Sequence, residues 1–307
     1  MGWFVTLSPS MLAETIHSLA DTANQILLYV GLKQSKHGPT EEHPWGYGNA
    51  RYLWNLISAM GIFFIGFGVT TYHGVHSLLN LGEYTNPDLT IPLIVLAFAF
   101  VVEGYVLFVA YKSVKIKKGS HSFLKYIKKG DDPTTVAVLL EDGIAVLGVA
   151  IALSGIWLSR IMQTNMPDAI ASIIIGCLLG FLAFVLIRSN ARLLMGASAD
   201  PQLEENIKMY LLKHKSIEKI TSFKTEILGP ARLRLAAEVE FHGEFLINRE
   251  QIVKDAERIR NGEVDPVPVL MDTSERMVRT LGKFINELEA ELKKMFPQLD
   301  IIEIEVN

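Results

Sequence analysis

Five stretches of the chain, at about residues 10–31, 51–79, 88–111, 134–160 and 167–189, are long and apolar enough to cross a lipid bilayer, since about 20 mostly apolar helical residues span roughly 30 Å of hydrocarbon. In hydrocarbon every backbone N–H and C=O must be bonded within its own segment or a closed barrel, so stretches of this length predict a bundle of membrane helices. Half of the 307 residues are hydrophobic and the mean hydropathy is +0.27, but charge is unevenly placed. The first 199 residues hold 13 Lys and Arg against 12 Asp and Glu, whereas from Asp200 onward there are 16 against 21. The sequence therefore predicts a membrane domain over 1–199 and a water-soluble domain over 200–307. Cys177, the single cysteine, excludes an internal disulfide and a thiolate metal cluster.

The connections set orientation. Lys112, Lys115, Lys117, Lys118, Lys125, Lys128 and Lys129 crowd the connection between the third and fourth stretches, Lys33, Lys36 and Arg51 flank the first, and Arg188 and Arg192 follow the last. The alternate loops near Glu83 and Thr164 hold few cations. The lysine-rich loops and the soluble tail are thus expected in the cytoplasm. Five spans with the tail inside put the start outside, where MGWFVTLSPS has neither a basic start nor a small-residue cleavage site. Trp3, Phe4, Val5 and Leu7 read as the outer end of an upstream helix. The expectation is an N-terminally truncated bundle with five visible spans, and the alternative is a true five-span protein.

The tail reads as a compact α+β unit. Asp200 caps a helix beginning at Pro201 and running to about His214. Ile217 to Leu228 is strand-like, Gly229-Pro230 makes a turn, and ARLRLAAEVEF alternates as a second strand. Asn248 with Gln251 resembles a capping box. GEVDPVPVL interrupts, a long helix follows from about Thr273 to Phe296, and DIIEIEV closes as a third strand. That order predicts an open-faced sandwich.

Within the first stretch, Glu14, His17 and Asp21 follow the 3-then-4 spacing of one helical face, with Asn24 or Gln25 one turn further. A charge near the bilayer centre costs about 2.5 to 3.5 kcal/mol on insertion scales, so such a stripe calls for ion or proton handling. Imidazole with carboxylates suits zinc, and iron or manganese as the oxygen share rises. The bland reading is a polar seam in which His17 bonds Asp21 or a backbone carbonyl. In the fourth stretch Glu141 and Asp142 are adjacent and diverge by about 100° around the axis. One is therefore expected to face the first helix and the other to meet water, Arg51, a lysine of the inner mouth or a proton path. Asp142 lies about 13 Å inside from Pro133, at a depth compatible with a site shared with His17 and Asp21. Glu103 is a lone carboxylate in the third stretch, read either as a proton or substrate contact or as a bond to a neighbouring helix. Asp168 fits a helix N-terminus, His73 and His76 an interfacial pair, and Gly176 to Gly180 a small-residue packing surface.

AETIHSLADTANQ, HPWGYGNARY, LLEDGIAVLG and PDAIASIIIG together resemble the second, third, fifth and sixth helices of the cation diffusion facilitator family, whose members export zinc and related divalent metals. The likeness runs over essentially the whole chain and is nearest to the subgroup that includes the mitochondrial zinc transporter of animals and bacterial relatives. It implies a membrane all-α bundle of six helices, the first missing here, followed by a cytoplasmic ferredoxin-like domain that dimerises. It implies a transport site of His17, Asp21 and Asp142. Where family members commonly carry His or Asp four residues before the last of these, this chain has Val138, so Glu141, Glu14 or a water completes the shell, or the ion is held more loosely. His43 is kept in the cytoplasmic mouth but a second histidine is replaced by Tyr47, and Glu238 stands where some relatives place metal-binding histidines in the soluble domain.

The expected function is proton-coupled efflux of a divalent cation, zinc foremost, by alternating access through a homodimer. The metal is cargo and no cofactor is expected. The other partners are protons and a second copy, with no nucleic acid, and the place is an integral position in a bacterial inner membrane. No HExxH helix or serine nucleophile elbow occurs, so an enzyme is not expected. The alternative is a transport-poor scaffold or regulatory membrane protein that keeps the fold, a reading that Val138 favours.

Overall fold

The computed structural model describes residues 8–81, 84, 89–117, 133–229 and 231–307, with the backbone alone at 113–114, 116–117 and 133–138. Trp3, Phe4, Val5, Leu7, Glu83, the lysines from Lys118 to Lys129, Pro230 and the side chains of Lys117 and Val138 lie outside the described residues. The chain divides into two compact units, Met1–Met195 and Gly196–Asn307.

In the first unit the described residues form helices α1 (Pro9–Gln34), α2 (Ala50–Gly61), α3 (Thr70–Leu79), α4 (Thr90–Lys117), α5 (Pro133–Met162) and α6 (Met166–Leu194). Ser8 starts α1: its hydroxyl accepts the Met11 N–H at 3.3 Å, and Pro9 sits at the first position, where a missing N–H costs no helical bond. A π-helical segment, Ile62–Val69, joins α2 to α3 without a break, so Ala50–Leu79 is one rod of 30 residues.

Among the described residues four helices, Ala50–Leu79, Thr90–Lys112, Leu139–Met162 and Met166–Leu194, are long and apolar enough to cross a membrane. The fifth expected span, α1, has 26 residues and hence a length of about 39 Å. Composition does not place it with the other four, because Glu14, His17, Asp21 and Asn24 interrupt its apolar character. It packs against α2, α3, α5 and α6. The core comprises Met11 and Ala13 of α1, Ala59 of α2, Leu96 of α4, Val149 and Ala152 of α5, and Leu179 and Leu182 of α6. Glycines bring helices together: a Cβ at Gly155 would stand 2.5 Å from Ala171 Cβ, and one at Gly176 would stand 2.4 Å from Thr71 Oγ1. The Gly176 to Gly180 surface is therefore used for packing, with Gly180 against the Phe67 ring. On α4 the stripe Ile94, Phe98, Val101, Tyr105 and Phe108 is between 63% and 72% exposed. An apolar stripe of that size on one helix face is suited to hydrocarbon.

The second unit runs α7 (Pro201–Lys213), β1 (Ile217–Gly229), β2 (Arg232–Phe241), a 3-10 turn (Gly243–Leu246), α8 (Arg249–Arg260), α9 (Pro266–Met295) and β3 (Leu299–Val306). The sheet order is β1-β2-β3, antiparallel between β1 and β2 and parallel between β2 and β3. Leu233, Leu235, Ala237 and Val239 alternate into a core with Ile207 and Leu211 of α7, Leu288 and Leu292 of α9, and Leu299. The opposite face of β2 carries ion pairs: Arg232 with Asp300 and Arg234 with Glu303. Ala197 and Ala199 belong with this unit, the first accepting from the Ile227 N–H and the second donating to Thr225 Oγ1.

Two local expectations are corrected. The last helix starts at Pro266, not near Thr273, because Asp265 accepts the Val267 N–H at 2.9 Å and Pro266 sits at the helix start, where it needs no partner. Only half of the capping box forms. Asn248 Oδ1 accepts the Gln251 N–H, while the Gln251 side chain turns away to Asp255.

Candidate metal site

The polar stripe of α1 is turned into the bundle. Glu14 is 6%, His17 3% and Asn24 7% exposed, a burial that polar groups accept only with partners or a function. His17 Nε2 stands 3.5 Å from Asp21 Oδ2, close but longer than a formed hydrogen bond. Neither ring nitrogen of His17 has a hydrogen-bond partner, and Glu14 Oε2 and Asp142 Oδ2 are buried and unpartnered as well.

Helix α5 runs beside α1. Of the adjacent carboxylates, Glu141 is the one engaged with α1: Asn24 Nδ2 donates to Glu141 Oε1 at 2.7 Å. Ser58 of α2 in turn donates to Asn24 Oδ1 at 2.7 Å. Further along α5, Gly148 leaves room for Glu14, whose Oε2 lies 3.9 Å from where a Cβ would be. Glu103 of α4 is half-buried, on a helix that packs against α5.

Among the described residues no three His, Cys, Asp or Glu side chains are gathered closely enough to hold a metal ion. Binding one would require the donors of α1 and α5 to close to about 2.0–2.2 Å from a common point. The other residues singled out from the sequence lie apart. Asp168 accepts from Ser8 and Ser10 of α1. His73 Nδ1 contacts Ser77 Oγ at 3.1 Å, and the His76 ring lies beside Tyr72. His43 lies against the Tyr47 ring with centroids 4.3 Å apart. Ser58 carries no signal in sequence, since its partner on α1 is 34 residues away.

Residues 1–195 match the family model of the Cation efflux transmembrane domain. The chain is 35% identical over 318 residues to Metal tolerance protein C4 of Arabidopsis thaliana, covering 99% of this chain and 69% of that protein. It is 34% identical over 315 residues to the mitochondrial proton-coupled zinc antiporter SLC30A9 of Homo sapiens, covering all of this chain and 55% of that protein. Manganese efflux system protein MneP of Bacillus subtilis is 26% identical over 74% of this chain. The chain spans little more than half the length of the human relative. A membrane bundle with a buried His and carboxylate stripe, the matched domain and relatives over the whole length agree, and the chain belongs to the cation diffusion facilitator family of metal transporters.

Proposed function

We propose that the protein moves a divalent cation, zinc foremost, across its membrane in exchange for protons. The observation that carries the reading is the pairing of buried His17 with half-buried Asp21 on α1, beside a helix that carries Asp142 with an unpartnered carboxylate oxygen. One imidazole with two carboxylates is a donor set for zinc and, with its oxygen share, for manganese. The names of the human and Bacillus relatives, a zinc antiporter and a manganese efflux protein, support the same pair of metals. Glu14 stands in reserve as a further donor, and Glu141 is held by Asn24.

Coupling to protons follows from the donors themselves. A histidine and carboxylates must shed protons to take a metal, so metal binding releases protons and protonation expels the metal. Alternating access then exposes one site to either side by rocking the bundle. The lysine-rich connections favour a cytoplasmic soluble unit, whose helix, two strands, helices and strand are in keeping with a ferredoxin-like domain joining two copies of the chain. A bacterial cell membrane is the proposed location, in line with the Bacillus relative; the human relative is named as mitochondrial.

The test is zinc and manganese flux into proteoliposomes holding the intact natural protein. His17→Ala and Asp142→Ala are each expected to abolish flux, and unchanged flux in both would sink the site. The rival reading, a scaffold that keeps the fold, draws on Val138 at the position of an expected donor. Proton release on adding zinc separates the two, because a scaffold releases none.

A further inference from the structure

We propose that Asn24 is a positioning residue that sets metal preference by withholding Glu141 from the ion. The proposal rests on the transport site given above. Asn24 and Ser58 are 7% and 5% exposed, so their bonds are shielded from water. The order of the chain Ser58, Asn24, Glu141 is fixed by chemistry. A carboxylate only accepts, so the amide nitrogen of Asn24 must face Glu141, which leaves the amide oxygen for the Ser58 hydroxyl to donate to. Both ends of the amide are thus held, at 2.7 Å each, by residues on two other helices.

The consequence falls on the metal. Glu141 adjoins Asp142 on α5 and Asn24 lies three residues beyond Asp21 on α1, so the bridge sits beside the proposed donors on both helices. With Oε1 of Glu141 engaged, α5 offers the ion Asp142 and α1 offers His17 and Asp21, one nitrogen ligand among three. Released, the longer Glu141 side chain is free to turn toward the ion and add a carboxylate. A richer oxygen set favours manganese over zinc. Asn24 therefore acts through Glu141 and does not itself touch the metal.

Zinc and manganese binding and flux are measured side by side on the intact natural protein, Asn24→Ala and the double variant Asn24→Ala with Glu141→Gln. The expected result is a fall of about tenfold in the zinc-to-manganese ratio for Asn24→Ala, the low end of what loss of an outer partner does to metal affinity. The double variant returns toward the natural ratio, because an amide is a poor metal ligand. Should Asn24→Ala fail to fold, Ser58→Ala, which frees the amide to rotate, is expected to shift the ratio in the same direction. An unchanged ratio overturns the proposal, and so does a shift that survives Glu141→Gln, since Asn24 would then act by another route. Zinc binding that persists in Asp142→Ala strikes at the transport site itself and takes the proposal with it.

Discussion

The Ser8 hydroxyl donates to Asp168 Oδ2 at 2.6 Å, fastening the start of α1 to the first turn of α6 across 160 residues of sequence. Ser10 donates to the other oxygen of the same carboxylate, and the Asp168 N–H is itself taken by Ser159 Oγ at the end of α5. Three helices thus meet at one residue that is 5% exposed, two through its carboxylate and one through its backbone N–H. In sequence Asp168 reads as a charge favoured by a helix N-terminus; its partners make it a fastening between helices as well.

Removing that carboxylate strips Ser10, which is fully buried, of its acceptor. Asp168→Ala is expected to destabilise the bundle by about 1–3 kcal/mol, the cost of leaving a buried polar group unmatched. Asp168→Asn keeps one acceptor oxygen and should lose less. Thermal unfolding in detergent checks both, and an unchanged midpoint for Asp168→Ala would contradict the fastening.

Glycine positions make a sharper contrast, because similar substitutions have opposite signs at different sites. At Gly176 a Cβ would lie 2.4 Å from Thr71 Oγ1 and 3.1 Å from the Thr71 backbone nitrogen, which cannot move out of the way. Gly176→Ala is expected to cost about 1–3 kcal/mol as an overpacked contact. At Gly143 nothing lies within 4 Å, so Gly143→Ala should gain up to about 1 kcal/mol from helix propensity alone. Melting of the two variants side by side decides it; equal effects would show that the α3 and α6 contact is looser than the geometry states.

What could be read from sequence was whatever depends on near neighbours. The stripe of Glu14, His17 and Asp21 repeats with the helix, so spacing alone put it on one face, and the alternation of β2 marked Leu233, Leu235, Ala237 and Val239 as its buried side. At Pro266 the pattern misleads, because a proline inside an apolar run suggests an interruption, whereas at the start of a helix it is harmless. The bridge from Ser58 through Asn24 to Glu141 was illegible for a different reason. Its members are 34 and 117 residues apart, and only packing decides which of two adjacent carboxylates meets an amide. The π-helical segment likewise leaves no period in Ile62–Val69, where every residue but glycine is apolar.

The pairing of α8 with α9 depends on acidity. Burial pushes the Asp255 carboxyl up, but bonds from Gln251 and Arg276 and the charges of Arg276 and Arg258 outweigh it and hold the group below the usual carboxylate range. A carboxyl held low in the folded state stabilises above its unfolded value, near about 3.9, and that stability is lost as pH falls through the folded value. The contact between the two helices should therefore be indifferent between neutrality and about pH 5 and weaken below about pH 4. Amide exchange in α8 as pH is lowered reports it, with Asp255→Asn expected to remove the acid-dependent step.

The second unit has a core drawn from its own residues: Leu235 of β2 meets Ile207 and Leu211 of α7, Leu288 and Leu292 of α9, and Leu299 of β3. Leu235, Leu211, Leu292 and Leu299 are all fully buried. A segment of about a hundred residues with such a core has the size of an independent domain. Residues 196–307 expressed alone are thus expected to unfold in one cooperative step. Leu235→Ala should then cost about 2–5 kcal/mol, the range for emptying a buried leucine site, against a total of about 5–15 kcal/mol for a small domain. Chemical denaturation followed by circular dichroism measures both quantities. A broad transition without a midpoint, or a loss under about 1 kcal/mol for Leu235→Ala, would mean that this unit draws its order from elsewhere in the protein.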